Sequence, residues 1–379
     1  MINVKFTRIL YLVVVVFSLL GIHHYLAERS TTNSSEKSQE KTGSILNHIS
    51  WWSNGSSNGS DNSTIGFNGQ KLMRAGIVAL VRNSELKDIR STIRQVDDRF
   101  NRDYGYPYIL LNDADFTNEF MELVRATTKS PVYFGKLSAE HWGLSPYVTE
   151  EKVKAALEKN KDRYIYGGSF TYREMCRYQS GFIHKHPLLQ NLDYYWRIEP
   201  GVDYYCSIPY DPFKYMKDNN LKYGFTISPL EFPATVETLW KTSADWMLKN
   251  PQHVAENNFL PWISDENGHY STCHFCEAYQ SYFEHLDKAG GFFYERWGDA
   301  PVHSLAAAMM LPKEQVHWFE DIGYHHPGFT HCPNKPEYNS RCICDQKQDY
   351  MYKSFCNKRL ENTQNISREK ALSLARIAK

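Results

Sequence analysis

The chain has 379 residues, of which 42% are hydrophobic and 15% are aromatic, so it can bury the core of one large domain or two small ones. Disorder over the whole length is therefore excluded. Lysine plus arginine and aspartate plus glutamate both number 43, so no net charge attracts a polyanion, and nucleic acid is not expected as a partner. The many aromatic residues suit either a packed core or the stacking of sugar rings.

The amino terminus contains the one candidate membrane segment of the sequence. Lys5 and Arg8 precede an uncharged, mostly apolar run over residues 9–27. Positive charge on the N-terminal side favours a cytosolic tail at residues 1–8 and a lumenal remainder. The run is short, so a cleaved signal peptide is the competing interpretation. Tyr25-Leu26-Ala27 lacks the paired small residues of a cleavage site, which favours an uncleaved type II anchor.

A polar segment rich in serine, asparagine and glycine follows at residues 28–70. Such a composition cannot build a packed core and is typical of a flexible stem. The segment carries four N-glycosylation sequons, and a fifth lies near the carboxyl end; their asparagines are Asn33, Asn54, Asn58, Asn62 and Asn365. The sequence thus predicts a glycosylated stem that holds a lumenal domain, residues 71–379, away from the membrane.

The eight cysteines allow more than one interpretation. In an oxidising lumen, an even number favours disulfides. Cys273-His274-Phe275-Cys276 resembles half of a zinc site, but no second ligand pair has suitable spacing, because Cys342-Ile343-Cys344 is too tight. We expect disulfides or buried thiols rather than zinc. The other cysteines are Cys176, Cys206, Cys332 and Cys356.

The folded region opens with the pattern of an α/β sheet. Residues 75–81 form a continuous apolar run, as in a strand buried on both faces. A helix with one apolar stripe follows, and Ser84 is placed to cap it. A second strand at 108–111 ends in polar residues. Strand, helix and strand in this order predict a nucleotide-binding sheet whose ligand lies at the carboxyl ends of the strands.

Further strands are predicted at 132–135, 194–198 and 223–227. The tail from residue 333 is polar and ends in a basic, helix-like segment at 367–379, for which we expect a solvated surface helix.

Two acidic motifs are candidates for a divalent metal site. Asp113-Ala114-Asp115 follows the second strand, but such triplets are common in loops, and it is not our choice. Glu199 is the better candidate, because it comes directly after the strand at 194–198 and Pro200 then ends the strand. A carboxylate at this edge points into the crevice where a metal would neutralise a leaving diphosphate.

The stretch from Tyr194 to Phe213 resembles the segment of glycosyltransferase family 15 in which a strand ends in Arg-x-Glu-Pro and the glutamate binds manganese. This family comprises fungal GDP-mannose-dependent α-1,2-mannosyltransferases. The resemblance extends from about Ala75 to Pro333. Its other motifs are residues 80–83, 172–177, 223–228, 290–304 and 323–326.

The resemblance implies an α/β fold of the GT-A type, a nucleotide-binding mixed sheet flanked by helices, as a single lumenal domain behind the membrane anchor. It also implies a Golgi location, GDP-mannose as donor and a mannosylated glycoprotein as acceptor in protein glycosylation and cell-wall mannan synthesis. Carried over by motif position, Glu199 and His326 would bind Mn²⁺, with His325 as the alternative histidine. The nucleotide sugar would be held by Arg82, Tyr172 and Arg197, and Asp299 would line the reaction centre.

One departure from the family pattern affects the expected chemistry. In the family, the Cys-His-Phe motif is followed by a segment that carries a proposed catalytic glutamate, whereas here Phe275 runs directly into Cys276 and Glu277. Glu277 is the nearby carboxylate that could take a catalytic role. Two functions stay open: a retaining mannosyltransferase, or a nucleotide-sugar-binding partner of active relatives.

Overall fold

The main sheet has four parallel strands in the order β3-β2-β1-β4. Its strands are β1 (Ala75–Leu80), β2 (Tyr108–Asn112), β3 (Val132–Lys136) and β4 (Tyr194–Arg197). The central strands β1 and β2 are apolar and buried, as their continuous apolar runs predict. Val78 of β1 lies opposite both Ile109 of β2 and Arg197 of β4. The parallel order places the carboxyl ends of all four strands at one edge.

Two smaller sheets complete the strand content of the described residues. An antiparallel sheet in the order β5-β8-β9 consists of β5 (Asp203–Tyr204), β8 (Tyr324–His326) and β9 (Phe329–His331). A parallel pair consists of β6 (Tyr223–Phe225) and β7 (Val316–Trp318). The mixed sheet expected from sequence is thus divided into separate sheets, two with only parallel pairing and one with only antiparallel pairing.

Helices cover both faces of the main sheet. The α-helices longer than three residues in the described part of the chain are α1 (Leu86–Val96), α2 (Asn118–Arg125), α3 (Glu150–Asn160), α4 (Phe170–Gly181), α5 (Pro212–Asp218), α6 (Leu239–Lys249), α7 (Gln280–Ala289), α8 (Gly291–Tyr294), α9 (Asp299–Met310), α10 (Phe355–Asn362) and α11 (Arg368–Ala378). The apolar stripe of α1, including Ile89 and Ile93, packs with Ile77 on one face. Tyr178 of α4 packs with Val78 on the other.

The computed structural model describes residues 64–265, 267–270 and 280–378. These ranges belong to one compact unit, Ser63–Lys379. The predicted cytosolic tail, anchor, most of the stem and the four stem sequons lie outside the described residues, as do Cys273, Cys276 and Glu277. Within the described ranges, no helix has the length and apolar character needed to cross a membrane.

Two predictions about helices were wrong. Ser84 does not cap α1, because it lies inside a 3-10 turn, Asn83–Glu85, that precedes the helix. At the start of this turn, the backbone N–H of Arg82 donates to the Glu85 carboxylate. The basic C-terminal helix is not a solvated helix. One face of α11, which includes the buried Leu374, packs against α6 as part of the largest apolar core of the described residues. Its apolar residues recur at helical spacing, so burial of that face outweighs the charge on the other.

Disulfides were predicted, and the structure contains them. Cys206 pairs with Cys342, and Cys332 pairs with Cys344. Cys356 is also disulfide-bonded, whereas Cys176 is a buried free thiol. The first two bonds join the C-terminal segment to the β5-β8-β9 sheet.

Candidate active site

Glu199 lies just beyond the carboxyl end of β4, as its position after an apolar strand predicts. The backbone N–H of Ile198 makes the last bond to β1, donating to the carbonyl of Val78 at 2.9 Å. Pro200 and Gly201 then form a turn, and Gly201 has a φ of +77°, a left-handed conformation that glycine adopts at little cost. The turn takes the chain away from the sheet and leaves the Glu199 side chain at its edge.

His326 reaches Glu199 from a different sheet. After the turn, β5 pairs antiparallel with β8, with Asp203 opposite His325 and Tyr204 opposite Tyr324. This pairing brings the end of β8 beside the end of β4, where His326 Nε2 lies 3.3 Å from Glu199 Oε2. The neighbouring His325 is committed elsewhere, since its Nδ1 lies 2.8 Å from the hydroxyl of Thr330. Of the two histidines, His326 is therefore the one that contacts the predicted metal carboxylate.

Arg197 joins this pair to Asp299. Its guanidinium bonds Glu199 Oε1 at 2.5 Å with one nitrogen and Asp299 Oδ2 with the other. Asp299 is the first residue of α9, where the positive end of the helix dipole favours a carboxylate. One arginine thus sits between two carboxylates at the carboxyl end of the sheet. The structure brings together Arg197, Glu199, Asp299 and His326, which sequence places up to 129 positions apart.

The charges of this group are mutually stabilised. Burial alone would raise the pKa of the Glu199 carboxyl, but Arg197 and His326 hold it at about 2. The hydrogen bond to Glu199 raises the pKa of His326 above its ordinary value, against the opposing effect of burial. The carboxylate is therefore ionised at neutral pH, and the imidazole has an anionic partner at its Nε2 atom.

The Glu199–His326 pair fits a divalent transition metal. A carboxylate oxygen and an imidazole nitrogen on adjacent side chains are both donors that Mn²⁺ accepts. Among the described residues, no group of three or more histidine, cysteine, aspartate or glutamate side chains is arranged to hold a metal ion. A metal bound by this pair would complete its coordination with oxygen atoms of a ligand or of water.

Arg82 and Tyr172, the other predicted nucleotide-binding residues, lie outside the four-residue group. Arg82 is exposed directly after β1, and its charge acts on the buried Glu174 of α4. Tyr172 lies on the first turn of α4, where its ring stacks on Tyr166 at 4.4 Å between centroids. The guanidinium of Arg296 lies over the Tyr172 ring at 5.2 Å. Tyr172 lies close enough to Asp299 for that carboxylate to help raise the pKa of its hydroxyl, whereas no contact between described residues joins Arg82 to the group.

Two charged features near the site were missed at the sequence level. Arg296 is buried and bonds Glu231 at 3.1 Å, and Glu231 lies beside Gly298, just before Asp299. The signal available was the charged pair Glu295-Arg296, which directly follows the uncharged, largely aromatic run at 290–294. Glu174 is also buried; burial and the nearby Asp113 raise its pKa, while Arg82 lowers it.

The Asp113-Ala114-Asp115 triplet, the other candidate metal motif, is a surface loop in which Asp115 pairs with Lys136 at 2.8 Å.

Asn365 is the one predicted glycosylation asparagine within the described residues. Its side-chain nitrogen donates to both carboxylate oxygens of Glu314, at 2.8 and 2.9 Å, and its oxygen accepts from the backbone N–H of Lys313. The fold therefore uses this amide to hold the segment before α11. Glu277, the tentative catalytic carboxylate, lies outside the described residues.

Comparison with known proteins identifies the family. The family described as glycolipid 2-alpha-mannosyltransferase matches residues 23–365 of this chain. The glycolipid 2-alpha-mannosyltransferase of Saccharomyces cerevisiae is 46% identical over 314 residues, covering 78% of this chain and 71% of the relative. The chain belongs to the glycolipid 2-alpha-mannosyltransferase family. It is, by that membership, a glycosyltransferase, as the resemblance at residues 290–304 and the other motifs predicts.

Solved structures of mannosyltransferases share the fold of this family member. The mannosyltransferase Ktr4p of S. cerevisiae, in complex with GDP, matches with a TM-score of 0.74 and 32% identity over 89% of this chain and 95% of Ktr4p. Core-mannan synthase A of Aspergillus fumigatus, in its Mn/GDP form, matches with a TM-score of 0.71 and 35% identity, covering 81% and 87% of the two chains. The α/β class predicted from sequence is confirmed, whereas the main sheet is parallel where a mixed sheet was expected.

Proposed function

We propose that this protein is a Mn²⁺-dependent, retaining α-1,2-mannosyltransferase that transfers mannose from GDP-mannose to an α-mannoside acceptor on a glycoprotein. The observation that carries the proposal is the contact between Glu199 and His326 at the carboxyl end of the sheet, with Arg197 bonded to the same carboxylate. The similar Ktr4p structure holds GDP and the similar core-mannan synthase A structure is a Mn/GDP form, which supports the same donor and metal here.

Each residue of the group has a task in this proposal. Glu199 and His326 would hold Mn²⁺, which when bound neutralises charge on the diphosphate leaving group. Arg197, fixed between Glu199 and Asp299, presents a planar cation suited to phosphate oxygens. Asp299, held by Arg197 at the start of α9, lines the space where the sugar would lie. Arg82 and Tyr172 stay proposed contacts of the nucleotide sugar.

Retention of configuration can follow two routes. One uses an enzyme carboxylate as nucleophile and forms a covalent glycosyl intermediate. The other is attack by the acceptor hydroxyl on the face that the diphosphate leaves, which needs no enzyme nucleophile. The second route requires only that the protein bind donor and acceptor and stabilise the leaving charge, so the shortened sequence after Phe275 does not exclude turnover.

The alternative function is a nucleotide-sugar-binding protein that acts as a partner of active relatives. The observation that favours it is the direct continuation of Phe275 into Cys276 and Glu277, without the family segment that carries a catalytic glutamate. One assay distinguishes the two functions. Full-length protein in detergent, given Mn²⁺, GDP-mannose and methyl α-mannoside, forms a disaccharide if it is an enzyme. Binding of GDP without any transfer or hydrolysis would favour the partner role.

We also propose that the protein is a single-pass type II membrane protein of the Golgi, with a cytosolic tail at 1–8, an anchor at 9–27 and a glycosylated stem at 28–70. The Cys206–Cys342 and Cys332–Cys344 disulfides support a lumenal location for the domain, because such bonds persist in oxidising compartments. Protease protection of the domain in sealed Golgi vesicles tests this topology. Digestion of the domain in intact vesicles would contradict it.

A further inference from the structure

Thr92, in the middle of α1, is fully buried. Its hydroxyl donates to the carbonyl oxygen of Glu199 at 3.0 Å, and it also lies 3.4 Å from the carbonyl oxygen of Val202. Glu199 and Val202 flank the Pro200-Gly201 turn, so one side chain of α1 contacts both ends of that turn. A hydroxyl has a single proton to donate, and the shorter distance assigns it to Glu199.

Gln95, one turn further along α1, bonds the residues that follow the same turn. Its Oε1 atom accepts from the backbone N–H of Tyr204, and its Nε2 atom donates to Asp203 Oδ1, both at 2.8 Å. Arg99, beyond the end of α1, donates from Nε to the carbonyl of Tyr204 at 3.2 Å. Positions 92, 95 and 99 follow helical spacing and share one face. Together they hold the segment from Glu199 to Tyr204 by its polar groups.

The two predicted metal ligands therefore have separate supports. Glu199 is held by α1 through Thr92, while His326 belongs to β8, whose pairing with β5 is followed by the Cys206–Cys342 disulfide. The backbone N–H of Gly323, just before β8, lies 3.1 Å from Cys206 Sγ. The alignment of the Glu199 carboxylate with the imidazole depends on both supports. A shift of the Glu199 turn alone would change it.

We infer that Thr92 is a positioning residue for the metal site: its hydroxyl fixes the Glu199 backbone so that the carboxylate faces His326. The inference rests on the proposed function, since it assigns Glu199 to a metal. Thr92 touches neither the sugar nor the diphosphate in this account. Its loss should weaken metal binding and leave turnover at saturating metal close to that of the unmodified protein.

The test replaces the hydroxyl by a methyl group of similar size, Thr92→Val, in the full-length chain in detergent. Mn²⁺ binding is measured by electron paramagnetic resonance with GDP at saturation, and kcat and the KM for Mn²⁺ are measured separately. We expect the Mn²⁺ Kd to rise about 10- to 100-fold, the usual effect of removing a group that orients a metal ligand. Thr92→Ser, which keeps the hydroxyl, should retain the original affinity.

Thr363→Val is the matched control. Thr363 is also a buried threonine, and its hydroxyl donates to a backbone carbonyl, that of Arg359 at 2.7 Å, in the C-terminal segment. It should bind Mn²⁺ like the unmodified protein. Thr92→Ala replaces Thr92→Val if valine prevents folding, with the same expectation. Unmodified protein that binds no Mn²⁺ with GDP would contradict the proposed function. Normal Mn²⁺ affinity in a folded Thr92→Val or Thr92→Ala protein would overturn this inference alone.

Discussion

His326 Nε2 lies 3.3 Å from Glu199 Oε2, although His326 ends β8 and Glu199 follows β4, a strand of a different sheet. The contact exists because the chain turns at Pro200-Gly201 directly after β4 and then pairs, as β5, with the strand that carries His326. A carboxylate and an imidazole at this distance offer an oxygen and a nitrogen donor to one ion. Four predictions test this arrangement and the fold that supports it.

Glu199→Gln should abolish metal-dependent nucleotide binding. Glutamine has nearly the same shape but lacks the negative charge that a divalent cation requires, and it leaves Arg197 with Asp299 as its remaining carboxylate partner. Isothermal titration should show GDP binding that no longer changes when Mn²⁺ is added. Glu150→Gln, at an exposed position on α3, is the control and should behave as the unmodified protein. Unchanged GDP affinity with Mn²⁺ in Glu199→Gln would remove Glu199 from the metal site.

Stability should fall in mild acid because of His303. This residue is buried on α9, one turn after Asp299, and burial lowers its pKa from 6.5 to about 4. Between those values the unfolded chain binds a proton that the folded chain does not, so the free energy of unfolding decreases as the pH falls. Thermal melts at pH 7 and pH 5 measure this, and His303→Asn should lose less of its melting temperature over that interval. An equal loss in both proteins would contradict the assignment.

The Cys206–Cys342 disulfide should stabilise the fold more than the Cys332–Cys344 disulfide, because it closes a longer loop. Cys206 and Cys342 are 136 positions apart and Cys332 and Cys344 are 12 apart. In the chain-entropy account, the longer loop restricts the unfolded chain more, by about 5 kcal/mol against about 3 kcal/mol. Urea denaturation of the paired serine variants measures the difference. A larger loss from Cys332→Ser with Cys344→Ser would show that native contacts, rather than loop length, dominate.

The C-terminal helix should be necessary for stability. Leu374 of α11 is buried against the core that includes α6, so Leu374→Ala should lower the free energy of unfolding by about 2 to 5 kcal/mol. Lys370→Ala, on the exposed side of the same helix, should change it by about 0.5 kcal/mol or less. Equal, small effects of the two substitutions in urea melts would indicate a helix that only rests on the surface.

Local sequence patterns were sufficient for the main sheet and for Glu199. The apolar runs at β1 and β2 are long and uninterrupted, and a glutamate followed by proline after a strand has a direct structural meaning. The family motifs supplied His326, Arg197 and Asp299, whose mutual contacts span different elements. The GDP-mannose specificity and the roles of Arg82 and Tyr172 are still predictions.

Other features depend on contacts that no local pattern contains. The hydroxyl of Thr92 donates to a carbonyl 107 positions away in the sequence. The residues around a helical threonine do not indicate whether its hydroxyl makes such a long-range bond. The pairing of Cys206 with Cys342 could not be deduced from eight cysteines. The burial of α11 was missed because its charged residues were given more weight than its apolar ones. The buried residues, Ala371, Leu374 and Ala375, recur at helical spacing, but two of the three are alanines, so the apolar pattern is weak.

The central claim is mannose transfer that depends on the Glu199–His326 pair. The most direct measurement incubates full-length protein with GDP-mannose and methyl α-mannoside, with and without Mn²⁺, and determines the linkage and anomeric configuration of the product by NMR. The account predicts an α-1,2-linked dimannoside that forms only with Mn²⁺ and is absent with Glu199→Gln. A protein that binds GDP and Mn²⁺ but forms no product, or a β-linked product, would contradict it.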